Sequence, residues 1–402
     1  MAAQYRPETF DRLSCFLDEI GSLLRDKRQK SSFALYTTGL LNDGERKSME
    51  PIAARACGDP DQASALHYRL MHLLSSDAWQ DAPIRARAVN YAIEAMQSQA
   101  PIKTWIVDDT GMLKQGKHSP AVQRQYTGSA GKTANCQIAV SLVFANGLSH
   151  VVADARLYLP ESWASDRERC RRAHIPDDVE YAPKWALALE MIEQAVTAGT
   201  SPGVVLADCD YGNKTVFRDT LVQLGLKYAL EIQSTTKVRR VGSGGRPGER
   251  MAVSDIARRL RKKFRKVTWR EGTNRVLCSR FARIRVVVDR EDNIEREPEW
   301  LLVEWPHDEP SPTKFVLSTL AKSTSCKQLV RTFKERWRIE RSYEDIKGEL
   351  GFDHYEGRSF VGWHHHVTAV LVCYAFLVAE LVRSFPPSPS GQVDDHSIAN
   401  AA

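Results

Sequence analysis

A chain of 402 residues can bury a large core and should hold two or more domains; 43% hydrophobic and 26% charged residues are ordinary for a soluble globular protein. The net charge of +6 is modest, but residues 258–270, RRLRKKFRKVTWR, contain no acid. Such a run favours a polyanion over a small-molecule pocket, with a solvated helix face as the plainer reading. Eight scattered cysteines without matched C-x-x-C pairs argue against a zinc site and for a reducing cytoplasm. The polar start MAAQYRPETFDRL lacks the apolar core of a signal peptide. The longest apolar run, 367–382, is short and carries Glu380, so it reads as a buried core helix and not as a membrane span.

In chain order, residues 1–100 form a helical region, with helices expected over 10–24, 61–74 and 83–99 and a loop at Asn42-Asp43-Gly44. Its basic residues Arg46, Lys47, Arg69, Arg85 and Arg87 suit phosphate contact and ordinary surface charge about equally. The pattern changes at residue 102, where IKTWIVDD reads as an apolar strand ending in Asp108 and Asp109. A basic loop through Lys114, Lys117, Arg124 and Lys132 follows, then two β-runs flanking Ala145-Asn146-Gly147, a strong hairpin signal. A helix over 183–198, a short strand at 204–206 leading to Asp208, a helix near 214–224 and a strand at 228–232 complete segment 101–233. That order suits a mixed sheet with helices on its faces. Residues 234–320 read as a basic, β-rich insertion that opens with the flexible loop GSGGRPG at 242–248 and carries strands near 281–288, 300–305 and 315–317. Residues 321–383 hold the last helices. The Pro/Ser-rich tail 384–402 is expected to be disordered.

The stretch 333–347, FKERWRIERSYEDIK, has neither Gly nor Pro and reads as one helix. At about 100° per residue, Phe333, Arg336, Glu340, Glu344 and Lys347 share a narrow face of alternating charge. Such a face suits carboxylates for a divalent cation with cations for a phosphate, or an exposed helix laced with ion pairs. Asp109 and Asp208 both sit at expected strand ends, where α/β sheets bind ligands and where Asp also commonly caps turns.

Taken together these segments resemble a known family. Residues 333–347 are similar to the Y-x-x-R-x-x-x-E-x-x-x-x-x-x-K pattern of DDE-type insertion-sequence transposases, with Phe333 in the Tyr position, then Arg336, Glu340 and Lys347. VDDTG around Asp109 and VVLADCDYG around Asp208 resemble the two strand-ending Asp motifs. RQYTGSAGKTANCQ, LYLPESWASDRERC and LGFDHYEGRSFVGWHHH look like the DDE superfamily endonuclease branch, so the similarity covers roughly residues 35 to 380. Phe for Tyr keeps the ring and loses a hydroxyl.

The resemblance implies an α/β fold: an RNase H-like mixed-sheet catalytic core with an N-terminal helical region and a β-rich insertion before the Glu340 helix. It implies Asp109, Asp208 and Glu340 as catalytic, metal-binding residues, with Glu344 as rival for the third place. Mg²⁺ is the implied cofactor, with Mn²⁺ able to substitute. It further implies cleavage at terminal inverted repeats and strand transfer into target DNA, by a homodimer working at the nucleoid in the cytoplasm, with no membrane. Arg336 and Lys347 would steady phosphates, and Arg124, Lys132, Arg358, Arg258, Arg261, Lys262 and Lys263 are further DNA-contact candidates. Trp337 reads as core or as a base-stacking ring. His354 and His364–His366 read as structural or DNA-facing more than as metal ligands. A non-catalytic DNA-binding regulator and a stand-alone RNase H-like nuclease remain as alternatives.

Overall fold

The structure is a computed structural model describing residues 7–242, 245–271, 276–290 and 296–384. In chain order the elements begin with five helices, α1 (Pro7–Ser22), α2 (Lys27–Leu41), α3 (Met49–Ala56), α4 (Pro60–Ser75) and α5 (Asp81–Gln97). Then come β1 (Thr104–Leu113), β2 (Gln123–Thr127), β3 (Lys132–Ala145), β4 (His150–Leu157), α6 (Glu161–Ala164), α7 (Arg167–Arg172) and α8 (Lys184–Thr197). The middle of the chain is β5 (Val204–Ala207), α9 (Cys209–Gly212), α10 (Thr215–Gln223), β6 (Tyr228–Ile232), β7 (Lys237–Val241), β8 (Pro247–Ala252) and α11 (Val253–Arg259). It closes with β9 (Arg265–Glu271), β10 (Val276–Val288), β11 (Glu299–Trp305), β12 (Lys314–Ser318), α12 (Cys326–Lys334), α13 (Trp337–Gly348) and α14 (Phe360–Ser384).

Two compact units emerge. The first comprises the described parts of Met1–Ile102, Asp108–Met191 and Arg338–Ala402; the second comprises Lys103–Val107 and the described parts of Ile192–Trp337. In the first unit α14 is apolar nearly all round, and it is buried against α5, α2, α4 and β4. A helix without a polar face belongs in a core, and 78% of its most apolar stretch is covered. Its histidines are structural. His365 bonds the carbonyls of Leu74 and Trp79, and His366 bonds the Tyr36 hydroxyl at 2.8 Å and the Gly351 carbonyl. Burial pushes His364 down to about 4. Helix α4 buries Leu66, Leu70, Leu73 and Leu74, the i, i+4 stripe its sequence shows. Strand β3 pairs antiparallel with β2 and, through the Asn146 turn, with β4. The Asn146 side chain accepts from the amides of Leu148 and Ser149, and Gly147 takes φ 89°, as that hairpin requires.

In the second unit the first half of β1 pairs in parallel with β5, and β5 pairs in parallel with β6. Beyond β6 the order runs antiparallel through β12, β11, β10, β7 and β8, with β9 also on β10. The insertion strands thus extend from β6 as one mixed sheet. This is the mixed α/β architecture expected of an RNase H-like core.

Four expectations need correction. Strand β1 does not end at the carboxylates; it runs to Leu113, with Asp108 and Asp109 half-buried mid-strand. Gly111 permits this, because a Cβ there would lie 1.9 Å from the Thr127 hydroxyl. Residues 333–347 are not one helix. The amides of Glu335 and Arg336 bond to i−3 carbonyls, which closes α12 in a tight turn before α13 begins. Phe333 is therefore a buried residue of α12 in the second unit, off the face that carries Glu340. Helices α2 and α3 fall where none was expected. Lys47 and Arg85, considered as phosphate contacts, are buried: Lys47 donates to carbonyls of Leu40 and Asn42, and Arg85 pairs with Asp81 and Asp154. Residues 243–244 of the 242–248 loop and all of the expected tail except Ser384 lie outside the described residues.

Candidate active site

The first unit holds Asp109 and Glu340, and what surrounds them is a clamp between β1 and α13. The Tyr343 hydroxyl donates to the Asp108 carbonyl at 3.1 Å. The Lys347 ammonium donates to the Thr110 hydroxyl at 2.7 Å, the Gly111 carbonyl at 2.8 Å and the Ser129 hydroxyl at 3.1 Å. These bonds grip the strand on both sides of Asp109. Burial holds Lys347 below the usual lysine range. Two of its three bonds go to β1 and the third to Ser129 in the turn after β2, so it acts here as a structural pin on β1. Glu340 lies within about 60° of Tyr343 around α13, on the face that bonds β1. Its side chain is exposed and makes no hydrogen bond or ion pair among the described residues. The rival Glu344 is exposed and paired with Arg341 at 3.0 Å. Arg338 is buried and donates to the carbonyls of Gly147 and Leu148, which fixes the start of α13 on the β3–β4 turn.

Asp109 is not idle. Its Oδ2 accepts from the Lys184 ammonium at 2.9 Å, with the two side chains 21% and 29% exposed. Lys184 opens α8, and the sequence reading passed over it. The available signal was a cation at a helix start, where the helix dipole disfavours positive charge.

The second unit holds Asp208, half-buried directly after β5, where it caps α9 by accepting from the Asp210 amide at 3.0 Å. Helix α9 presses on β6 so closely that a Cβ on Gly212 would lie 1.9 Å from the Glu231 carbonyl oxygen. Asn213 accepts from the Gln233 amide at 2.9 Å and fastens the same turn. Arg336 stands in the turn between α12 and α13, outside the Glu340 helix. Trp337 is half-buried, with the Arg270 guanidinium 4.3 Å from its ring centre. Arg258, Arg261, Lys262 and Lys263 are exposed, Arg258 beside Asp255 and Arg261 5.9 Å from the Trp305 ring. Arg124, Lys132 and Arg358 of the first unit are exposed.

The three candidate carboxylates offer only hard oxygen donors, the chemistry that Mg²⁺ prefers. Among the described residues no cluster of three or more His, Cys, Asp or Glu is arranged to hold a metal ion. The fit therefore rests on donor type and on the Asp109–Glu340 arrangement within one unit.

The mixed α/β fold is consistent with an RNase H-like DDE core, and the family comparison points the same way. Residues 15–276 match the DDE superfamily endonuclease model, and the chain belongs to that family. It is also 28% identical over 216 residues to a probable transposase for insertion sequence element IS701 from Microchaete diplosiphon. That similarity covers 53% of this chain and 51% of the relative, so the chain spans about half the length of the curated relative it matches. The family match contains Asp109 and Asp208 and stops before Glu340.

Proposed function

We propose that this protein is a divalent-metal-dependent DNA transposase that cuts at the terminal inverted repeats of its element and joins the freed ends to target DNA. Asp109, Asp208 and Glu340 are its carboxylates, and it works as a homodimer at the nucleoid. The observation that carries the reading is the clamp of α13 on β1, which sets Glu340 and Asp109 on bonded elements of one unit in a family of endonucleases.

Bound Mg²⁺ or Mn²⁺ would neutralise charge at the scissile phosphate and acidify the attacking water. The protein's own part follows from its residues. Tyr343 and Lys347 hold the backbone on either side of Asp109, which fixes where the strand presents this residue. The Asp208 carboxylate is oriented by the Asp210 amide. The exposed cations of 258–263, together with Arg124, Lys132 and Arg358, supply sequence-independent attraction for duplex phosphates.

The test is cleavage of a duplex carrying the element's end, with and without Mg²⁺. Asp109→Asn, Asp208→Asn and Glu340→Gln should each lower the rate by on the order of 100-fold or more while duplex binding persists. Glu344→Gln should stay near wild type. A Glu340→Gln enzyme that cleaves normally beside an inactive Glu344→Gln would move the third carboxylate one turn along α13. Normal cleavage by Asp109→Asn would remove the reading altogether. Joining of the 3′ end to a second duplex separates a transposase from a simple nuclease.

A further inference from the structure

We propose that Lys184 is the resident counter-cation of Asp109 and competes with a divalent ion for that carboxylate. The inference rests on the reading of Asp109 as a metal ligand and adds a residue that the reading does not contain. The ammonium lies 2.9 Å from Asp109 Oδ2, across 75 residues of chain, and both groups belong to the same compact unit. With side chains 21% and 29% exposed, the pair is partly withdrawn from water and salt, so screening reduces it less than a surface pair.

The placement of the lysine is informative. Lys184 is the first residue of α8, whose first turn contains no acidic residue. The unpaired amides of a helix start carry partial positive charge, which opposes a cation there. The contact that compensates is Asp109. The Tyr158 ring lies 5.8 Å from the ammonium, and Tyr181 meets Tyr158 edge-on at 6.4 Å, so an aromatic floor confines the lysine near the carboxylate. A carboxylate held by a lysine stays charge-balanced before any metal arrives. A divalent ion that takes the same oxygen must displace the ammonium, and its affinity falls by the strength of the pair. For a partly exposed pair that is about fivefold.

The experiment is titration of the intact chain with Mn²⁺ followed by electron paramagnetic resonance, without DNA. Lys184→Met and Lys184→Gln should each bind Mn²⁺ about fivefold tighter than wild type. Lys184→Arg, which keeps the charge, should bind as wild type does. Asp109→Asn should weaken Mn²⁺ binding in both the wild-type and the Lys184→Met backgrounds. If Lys184→Met and Lys184→Gln bind no tighter while Asp109→Asn still weakens binding, the counter-cation proposal is wrong and Asp109 stands as ligand. If Asp109→Asn binds Mn²⁺ as wild type does, both the proposal and the ligand assignment fall. Using two neutral replacements keeps the test decisive should one of them fold poorly.

Discussion

Arg85 separates two readings that its sequence position left equal, a phosphate contact and a structural cation. It is 4% exposed. One guanidinium nitrogen reaches Asp81 Oδ2 at 2.5 Å and Thr368 Oγ1 at 3.0 Å, and Nε reaches Asp154 Oδ1 at 2.7 Å, so α5, β4 and α14 meet on one side chain. Arg85→Met would leave two carboxylates without this partner. Removing one member of a buried pair costs about 3–5 kcal/mol. Asp154 keeps Arg156 at 2.9 Å and Asp81 is 28% exposed, which places the expected loss at about 3 kcal/mol. Part of that loss depends on pH. Burial raises the Asp81 carboxyl, and Arg85 with its hydrogen bond more than reverses this, bringing it from 3.8 down to about 2. Such a depressed carboxyl contributes about 2 kcal/mol that is fully present above pH 3.8 and lost as pH falls through about 2. The stability gap between wild type and Arg85→Met should therefore shrink by about 1 kcal/mol between pH 7 and pH 3. Urea unfolding followed by far-UV circular dichroism at both pH values measures it. A loss below about 1 kcal/mol at pH 7, or a gap that ignores pH, would refute the argument. Duplex affinity unchanged at low temperature would complete the case against a phosphate role.

Three further outcomes are expected. Gly212→Ala forces a Cβ against the Glu231 backbone, which cannot swing aside, so it should cost about 3 kcal/mol and lower cleavage even though Asp208 is intact; urea midpoints and cleavage rates check both. Tyr343→Phe removes one hydroxyl from the Asp108 carbonyl and should cost about 1 kcal/mol, with kcat for cleavage falling while KM for DNA holds. Gly111→Ala should be destabilising by about 1–3 kcal/mol through Thr127, and Thr127→Ala should recover part of that loss in the same unfolding assay.

Much of the fold was written locally. The Asn146-Gly147 hairpin, the 228–232 strand and the apolar α14 follow from turn chemistry and hydrophobic pattern alone. What failed was set by distant partners. Helix α2 buries Ser32 and Thr37 among Phe33, Tyr36 and Leu40, a face too mixed to announce a helix before its neighbours are known. The break at Glu335–Arg336 has no Gly or Pro to mark it, and it falls beside the boundary between Trp337 and Arg338, where the chain passes from one compact unit to the next. Asp109 was recognised as a candidate from its motif. Its place inside β1 was not, because groups that meet this stretch of strand, Lys184 at the carboxylate and Tyr343 and Lys347 at the flanking residues, are remote in sequence.

The clamp also bears on how far family membership reaches along this chain. The family match ends at residue 276, before the Glu340 helix. Hydrogen bonds do not depend on likeness: Tyr343 and Lys347 tie α13 to the carbonyl of Asp108, the hydroxyl of Thr110 and the carbonyl of Gly111. A helix with no role at β1 would have little reason to bury a lysine there, since burial disfavours its charge and three bonds are needed to offset that. The same helix leaves Glu340 exposed and without a partner among the described residues, while its neighbour Asp345 is buried with Arg341 at 3.2 Å. One carboxylate on α13 is thus committed to holding the helix, and another is left available at the face that grips Asp109.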